Sequence, residues 1–80
     1  MTDHNLVKRF RQEVGNRLAR QRRIDQANGL PPMTAEDERQ FARALIAQVL
    51  EEHARSEIAA GRTPPTAEEE EALAAGVHAA

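Results

Sequence analysis

The chain has 80 residues, a net charge of −2 and no cysteine, which allows one small domain and excludes disulfides and thiolate metal sites. It has no apolar run of about 18 residues and no apolar segment near its start, so neither a membrane-spanning helix nor a secretory signal is predicted, and a cytoplasmic protein is the default expectation. Residues 1–30 hold seven of the eleven basic residues, and residues 31–80 hold ten of the thirteen acidic ones. This asymmetry favours packing of the two segments and gives each a charged outer surface.

The first predicted helix spans about residues 3–27. Its apolar residues recur at helical spacing and form one stripe of Leu6, Val7, Phe10, Val14 and Leu18. Glu13 and Arg17 are placed for an i,i+4 ion pair. Gly15 costs about 1 kcal/mol relative to alanine inside a helix, and either admits a close neighbour or has no packing role. Asn28-Gly29 then gives a stop signal, because both residues tolerate the left-handed conformation at a helix end.

The second helix is predicted at residues 34–60, from the capping residue Thr34 to the residue before Gly61. It is the most apolar segment, with Phe41, Leu45, Ile46, Val49, Leu50 and Ile58 assigned to one face. A glycine, a Pro-Pro pair and a threonine precede this helix, and the same signals recur at Gly61 to Thr66. We interpret them as one helix-start device used twice.

The third helix is predicted at residues 66–80. Thr66 and Glu69 have the spacing of a capping box, and Leu73 and Val77 should face the centre. Gly76 is a possible break. Because the chain ends without a stop signal, we expect the helix to continue in a longer protein from which this piece is excised.

Three helices joined by short connectors predict an all-α fold, with residues 1–80 forming a single antiparallel three-helix bundle. The alternative is a two-helix hairpin with a loosely held third helix, completed by a second subunit.

The sequence contains no pattern of residues that indicates catalysis. None of the four glycines is followed by lysine, as a phosphate loop requires, so no cofactor is expected. His53 and Glu57 have a spacing that suits a metal, but no denser ligand cluster supports one, and no metal site is predicted. The acidic run Glu68 to Glu71 complements the dipole at a helix start. We therefore expect no enzyme activity from these residues.

The basic first helix is the best functional candidate, and Arg9, Arg17, Arg20 and Arg23 are the predicted partner-binding residues. A protein surface is the favoured partner. The alternative is a small nucleic-acid-binding module, in which arginines contact phosphates. No aromatic stacking platform exists, the whole chain is acidic, and Glu13 interrupts the basic face, all of which disfavour nucleic acid. A third interpretation is a solvated face partly neutralised by the other helices.

Two long runs carry a family resemblance: LVKRFRQEVGNRLARQRR and AEDERQFARALIAQVLEEHARSEIAAGRTPPTAEEEEALAAGVHAA, of which GRTPPTAEEEEAL is the most telling. Together they resemble the N-terminal helical region of CpaF-type secretion ATPases, the tight-adherence or Flp pilus class, and especially the actinobacterial ones. The likeness covers nearly the whole chain. It rests on overall pattern, since none of the family's catalytic motifs falls within these residues.

The resemblance implies a parent protein that is a cytoplasmic, hexameric ATPase of the type II/type IV secretion superfamily and powers pilus assembly. ATP and Mg²⁺ would bind downstream, so no catalytic residue carries over to this chain. The chain would then be an N-terminal interaction or regulatory domain. Its implied partners are its own ATPase core, neighbouring subunits or inner-membrane platform proteins.

Overall fold

The structure is a computed structural model and describes residues 4–78. It contains three α-helices, α1 (His4–Ala27), α2 (Ala35–Ala59) and α3 (Ala67–His78). Every pair of helices is in contact, so the predicted all-α three-helix bundle is confirmed. The predicted start of the first helix at Asp3 lies outside the described residues, and so do residues 79–80, where the third helix was predicted to end.

The helices run up, down and up. Arg17 pairs with Glu52, and Arg22 pairs with Glu38. The later residue of α1 therefore pairs with the earlier residue of α2, so the two helices are antiparallel. The last turn of α3 lies beside the first half of α1, where Gly76 approaches Val7.

One apolar cluster holds the three helices together. Its buried members are Val7, Phe10, Val14, Leu45, Ile46, Val49, Leu50, Leu73 and Val77. Leu73 and Val77 are each only 6% exposed, which does not fit the alternative of a loosely held third helix. Ile58 was assigned to the apolar face of α2, but it is 61% exposed. The assignment is wrong because Ile58 follows Val49 by nine residues, which places it about 180° round the helix.

Both interhelical turns begin with the same backbone hydrogen bonds. At the end of α1, Leu30 N donates to Asp25 O and Gly29 N to Gln26 O. At the end of α2, Arg62 N donates to Glu57 O and Gly61 N to Ile58 O in the same way. This is the Schellman pattern, which needs a left-handed residue at its centre. Gly29 and Gly61 supply it, with φ of 72° and 76°.

Both following helices begin with a capping box, which was predicted at Thr66 and Glu69, whereas Thr34 was predicted only as a capping residue. The Thr34 side chain accepts a hydrogen bond from Asp37 N, and the Asp37 carboxylate accepts one from Thr34 N. Thr66 and Glu69 make the equivalent pair of bonds. The repeated signals in the sequence are therefore one turn device that is built twice.

The two helical glycines have different surroundings. Gly76 does not break α3: it lies inside the helix, and a methyl group there would come within 3.1 Å of Val7 Cγ2 and 3.3 Å of Val7 Cγ1. The missing side chain therefore lets α3 lie close to α1. At Gly15 an added methyl group would meet nothing within 4 Å, so this glycine has no packing role.

α3 is much shorter than the hairpin that it packs on. Its 12 residues contrast with 24 in α1 and 25 in α2, or about 18 Å of helix against about 36 Å. Much of the surface along the hairpin is therefore formed by α1 and α2 alone.

Candidate protein-binding surface

Three of the four predicted partner-binding residues, Arg9, Arg20 and Arg23, are exposed on α1. Their spacing places them within about 60° of one another round the helix, with about 16 Å along the axis between Arg9 and Arg20. None of the three has a hydrogen bond or salt bridge to any residue in the range 4–78. We call these three residues the arginine stripe.

Arg17 has a different role from the other three. Its Nε donates to Glu13 Oε1 at 2.8 Å, and its Nη1 and Nη2 donate to the two carboxylate oxygens of Glu52 at 2.8 and 2.7 Å. The hydrogen bonds to Glu52 and then Glu13 raise the pKa of Arg17, and the same guanidinium lowers the pKa of Glu52. Arg17 is therefore engaged within the bundle, where it joins α1 to α2.

Most of the other arginines also have partners within the bundle. Arg11 donates to the Gly76 main-chain oxygen. Ion pairs join Arg22 to Glu38, Arg39 to Glu36, Arg55 to Glu51 and Arg62 to Glu57. In the described part of the chain, Lys8 and Arg43 are also exposed without a salt bridge. Lys8 lies about 100° round α1 from Arg9 and about 120° from Arg20, and it is about 22 Å along the axis from Arg23. It is therefore not counted in the arginine stripe, and Arg43 belongs to α2.

The arginine stripe borders a groove between α1 and α2, which we call the seam groove. Its lining residues are Arg17, Arg20 and Gln21 of α1 and Phe41, Ala44, Leu45, Ala47, Gln48 and Glu51 of α2. No residue of α3 lines it. Phe41 is half-buried and Leu45 is buried, whereas Ala44 and Ala47 are exposed. The seam groove therefore combines an apolar floor, small side chains on one wall and an unpaired cation, Arg20.

A second depression continues along the same helix pair. Its lining residues are Arg9, Phe10, Glu13, Val49, His53 and Ser56, together with Arg17 and Glu52. Arg17 lines both depressions, so the Arg17–Glu52 bridge crosses the seam between them. Arg9 lies at one depression and Arg20 at the other, so an elongated partner could contact both.

The spacing of His53 and Glu57 on α2, which would also suit a metal, brings the two side chains close to each other. His53 Nε2 lies 3.9 Å from Glu57 Oε1, and the His53 ring packs edge-on against Phe10 with 5.3 Å between ring centres. The Glu57 carboxylate accepts hydrogen bonds from Arg62, which hold the pKa of Glu57 below its ordinary value. Across residues 4–78, no group of three His, Asp or Glu side chains converges in a way that could hold a metal.

The acidic run opens α3, where Glu69 completes the capping box and Glu68 and Glu71 are exposed. Sequence reasoning missed the seam groove and the engagement of Arg17 by Glu52, because both depend on how the two helices are rotated against each other.

No helix in residues 4–78 is both long enough and apolar enough to cross a bilayer. No family model matches the chain, and no curated protein or solved structure shows significant similarity to it. The likeness to CpaF-type ATPases therefore stands on the sequence pattern alone, and the family to which the chain belongs is a matter for proposal.

Proposed function

We propose that the chain is a helical protein-binding domain that docks on an acidic protein surface through Arg9, Arg20 and Arg23. Following the sequence resemblance, we assign it to the N-terminal region of a cytoplasmic, hexameric secretion ATPase that powers pilus assembly. Its partner is then the ATPase core, a neighbouring subunit or an inner-membrane platform protein. ATP and Mg²⁺ belong to the parent's downstream core, and the chain itself performs no catalysis.

The observation that carries the proposal is the contrast between the arginine stripe and the other arginines. Three other arginines of α1 donate hydrogen bonds to residues of α2 or α3, namely Arg11, Arg17 and Arg22. The three stripe residues stay exposed and unpaired within residues 4–78, although the chain has more acidic than basic residues. Arginine suits interface ion pairs because its planar guanidinium binds carboxylates in a bidentate manner and is only weakly hydrated.

The test is a triple charge reversal, Arg9→Glu, Arg20→Glu and Arg23→Glu, in the full-length protein. We expect the variant to lose association with its partner and to reduce pilus output. The isolated chain should keep its helical circular dichroism, because the three side chains make no contact that holds the bundle. Lys8→Glu with Arg43→Glu is the matched control, since it also reverses exposed cations without a salt bridge. Normal assembly in the triple variant would rule out the proposed surface.

Nucleic-acid binding is the competing function for the same arginines. Glu13 and Glu52 flank the stripe, and the two aromatic side chains, Phe10 and Phe41, are buried and half-buried respectively, so no stacking platform is exposed. We expect no binding of DNA or RNA oligonucleotides even at low salt, where phosphate contacts are strongest. Binding that is lost both at moderate salt and in the triple variant would replace the protein partner by a nucleic acid.

A further inference from the structure

We infer that the seam groove binds an acidic amphipathic helix of the partner, with the helix's apolar side chains on Phe41 and Leu45 and its carboxylates at Arg20. This inference rests on the proposed function, because Arg20 belongs to both the arginine stripe and the seam groove. It adds the secondary structure and the residue pattern that the partner must present.

The position and the lining of the seam groove suit a helix. It runs between two antiparallel helices and is lined by nine residues, none of them from α3. Ala44 and Ala47 are exposed on its α2 wall, and such small side chains allow another helix to approach closely. Phe41 offers a half-buried ring as the apolar contact. An extended strand would find no exposed sheet edge among the described residues.

The hairpin already holds a helix of this type elsewhere on its surface. α3 is a short acidic helix whose Leu73 and Val77, four residues apart, are buried against α1 and α2. Glu68 and Glu71 remain on its exposed side. We therefore expect the partner helix to carry apolar residues at the same spacing, flanked by acids.

The unpaired charge at the seam groove selects acidic residues. Glu51 is paired with Arg55 at 2.6 Å, and Arg17 is engaged by Glu13 and Glu52. Arg20 is the lining cation that has no salt bridge within residues 4–78. A second copy of the chain is a poor occupant, because its own acidic helix already buries Leu73 and Val77 inside its bundle.

The test uses two synthetic helical peptides of about four turns. Both carry leucines at i, i+4, i+7 and i+11; one has glutamates beside the leucines and the other has lysines at the same positions. Each is titrated into the ¹⁵N-labelled 80-residue chain. The acidic peptide should shift the amide resonances of Arg20, Ala44 and Gln48, and it should bind at least about tenfold more tightly than the lysine peptide, because like charges oppose docking.

Two variants of the chain test whether the acidic peptide binds at the seam groove. Ala44→Gln fills the seam groove without changing its charge and should weaken acidic-peptide binding about tenfold, whereas Ala59→Gln makes the same chemical change on α2 outside the groove and should have no effect. Equal binding of the two peptides, no binding of either, or unaltered binding by Ala44→Gln would each overturn the inference.

If the acidic peptide does not bind while the triple arginine variant still loses its partner, only this inference is wrong. If the peptide binds but the triple variant assembles normally, the proposed function falls and the groove's ligand class stands.

Discussion

Arg11 Nη2 donates a hydrogen bond to the main-chain oxygen of Gly76 at a distance of 2.6 Å. Gly76 lies in the last described turn of α3, towards the end at which the macrodipole of a helix is negative. The guanidinium therefore donates to a main-chain oxygen of α3 and places its positive charge where the helix dipole favours it. It does so from α1, so the contact also fixes α3 on the hairpin.

Replacing Arg11 should loosen α3. We expect Arg11→Gln to lower the free energy of unfolding by about 0.5–1 kcal/mol, the usual range for an exposed hydrogen bond with a helix-end charge. Arg9→Gln is the control, because Arg9 is exposed without such a contact and should change stability by less than about 0.5 kcal/mol. Urea unfolding followed by circular dichroism measures both. Equal effects of the two substitutions would mean that the Arg11 contact contributes nothing.

The two helical glycines predict opposite responses to alanine. Gly15→Ala should stabilise the chain by up to about 1 kcal/mol, because helix propensity improves and nothing lies near the added methyl group. Gly76→Ala gains the same propensity but places that group 3.1 Å and 3.3 Å from the two γ-carbons of Val7. Val7 is buried and stiff at χ1, and a change of rotamer would still leave at least one of its two methyl groups facing the added group. We expect a net loss of about 1 kcal/mol, within the range for overpacking.

A double variant separates the steric term at Gly76 from other effects. Val7→Ala removes the two contacting methyl groups, so adding Gly76→Ala to it should be stabilising rather than destabilising. Thermal unfolding of the four proteins in this cycle gives the coupling between the two sites. Additive effects would contradict the assignment of Gly76 as the point of close approach.

Replacing either capping threonine, Thr34 or Thr66, should lower the free energy of unfolding more than replacing Thr63, which lies between them in the sequence. Thr66→Ala removes the acceptor for Glu69 N and should cost about 1 kcal/mol, and Thr34→Ala should cost a similar amount at α2. Thr66→Ser should lower the free energy of unfolding much less than Thr66→Ala, because serine keeps the hydroxyl group. Thr63→Ala, an exposed change in the connector before α3, should be nearly neutral. The free energy of unfolding in urea ranks the four variants, and a neutral Thr66→Ala would mean that the box does not hold α3.

The helix ends were predictable because their signals are local. Asn28-Gly29 and Gly61 stop the helices through left-handed glycines, and Thr34 and Thr66 start the next ones through bonds that reach only three residues along the chain. The apolar stripes of α1 and α2 were equally readable, since burial follows the helical period. Ile58 fails for the same reason: its distance from Val49 carries it to the opposite side of α2.

The contacts between helices were not predictable in this way. Arg11 and Arg20 are similar residues on one basic helix, yet Arg11 bonds α3 and Arg20 faces the seam groove. Arg17 was expected to pair with Glu13, and does, but its bidentate contact with Glu52 depends on the rotation and register of α2. Charge counting along the sequence could not separate arginines that hold the bundle from arginines that remain for a partner.

The pairing of Arg17 with Glu52 predicts a dependence of stability on pH. Hydrogen bonding by Arg17 holds the pKa of Glu52 below its ordinary value. A carboxyl group with a depressed folded-state pKa binds its proton more readily in the unfolded chain. Its contribution is therefore fully present above the unfolded pKa of about 4.3 and is lost as the pH falls through the lower folded value.

Arg17→Gln removes the cause of that shift, and Arg20→Gln is the matched control on the same helix. At neutral pH we expect Arg17→Gln to unfold at a lower temperature than the parent chain, and Arg20→Gln to match the parent. Below about pH 4 the difference in unfolding temperature between Arg17→Gln and the parent should narrow, because protonated Glu52 carries no negative charge to pair with Arg17. A gap that stays constant from neutral to acidic pH would mean that Arg17 stabilises α1 against α2 by packing rather than through its ion pair with Glu52.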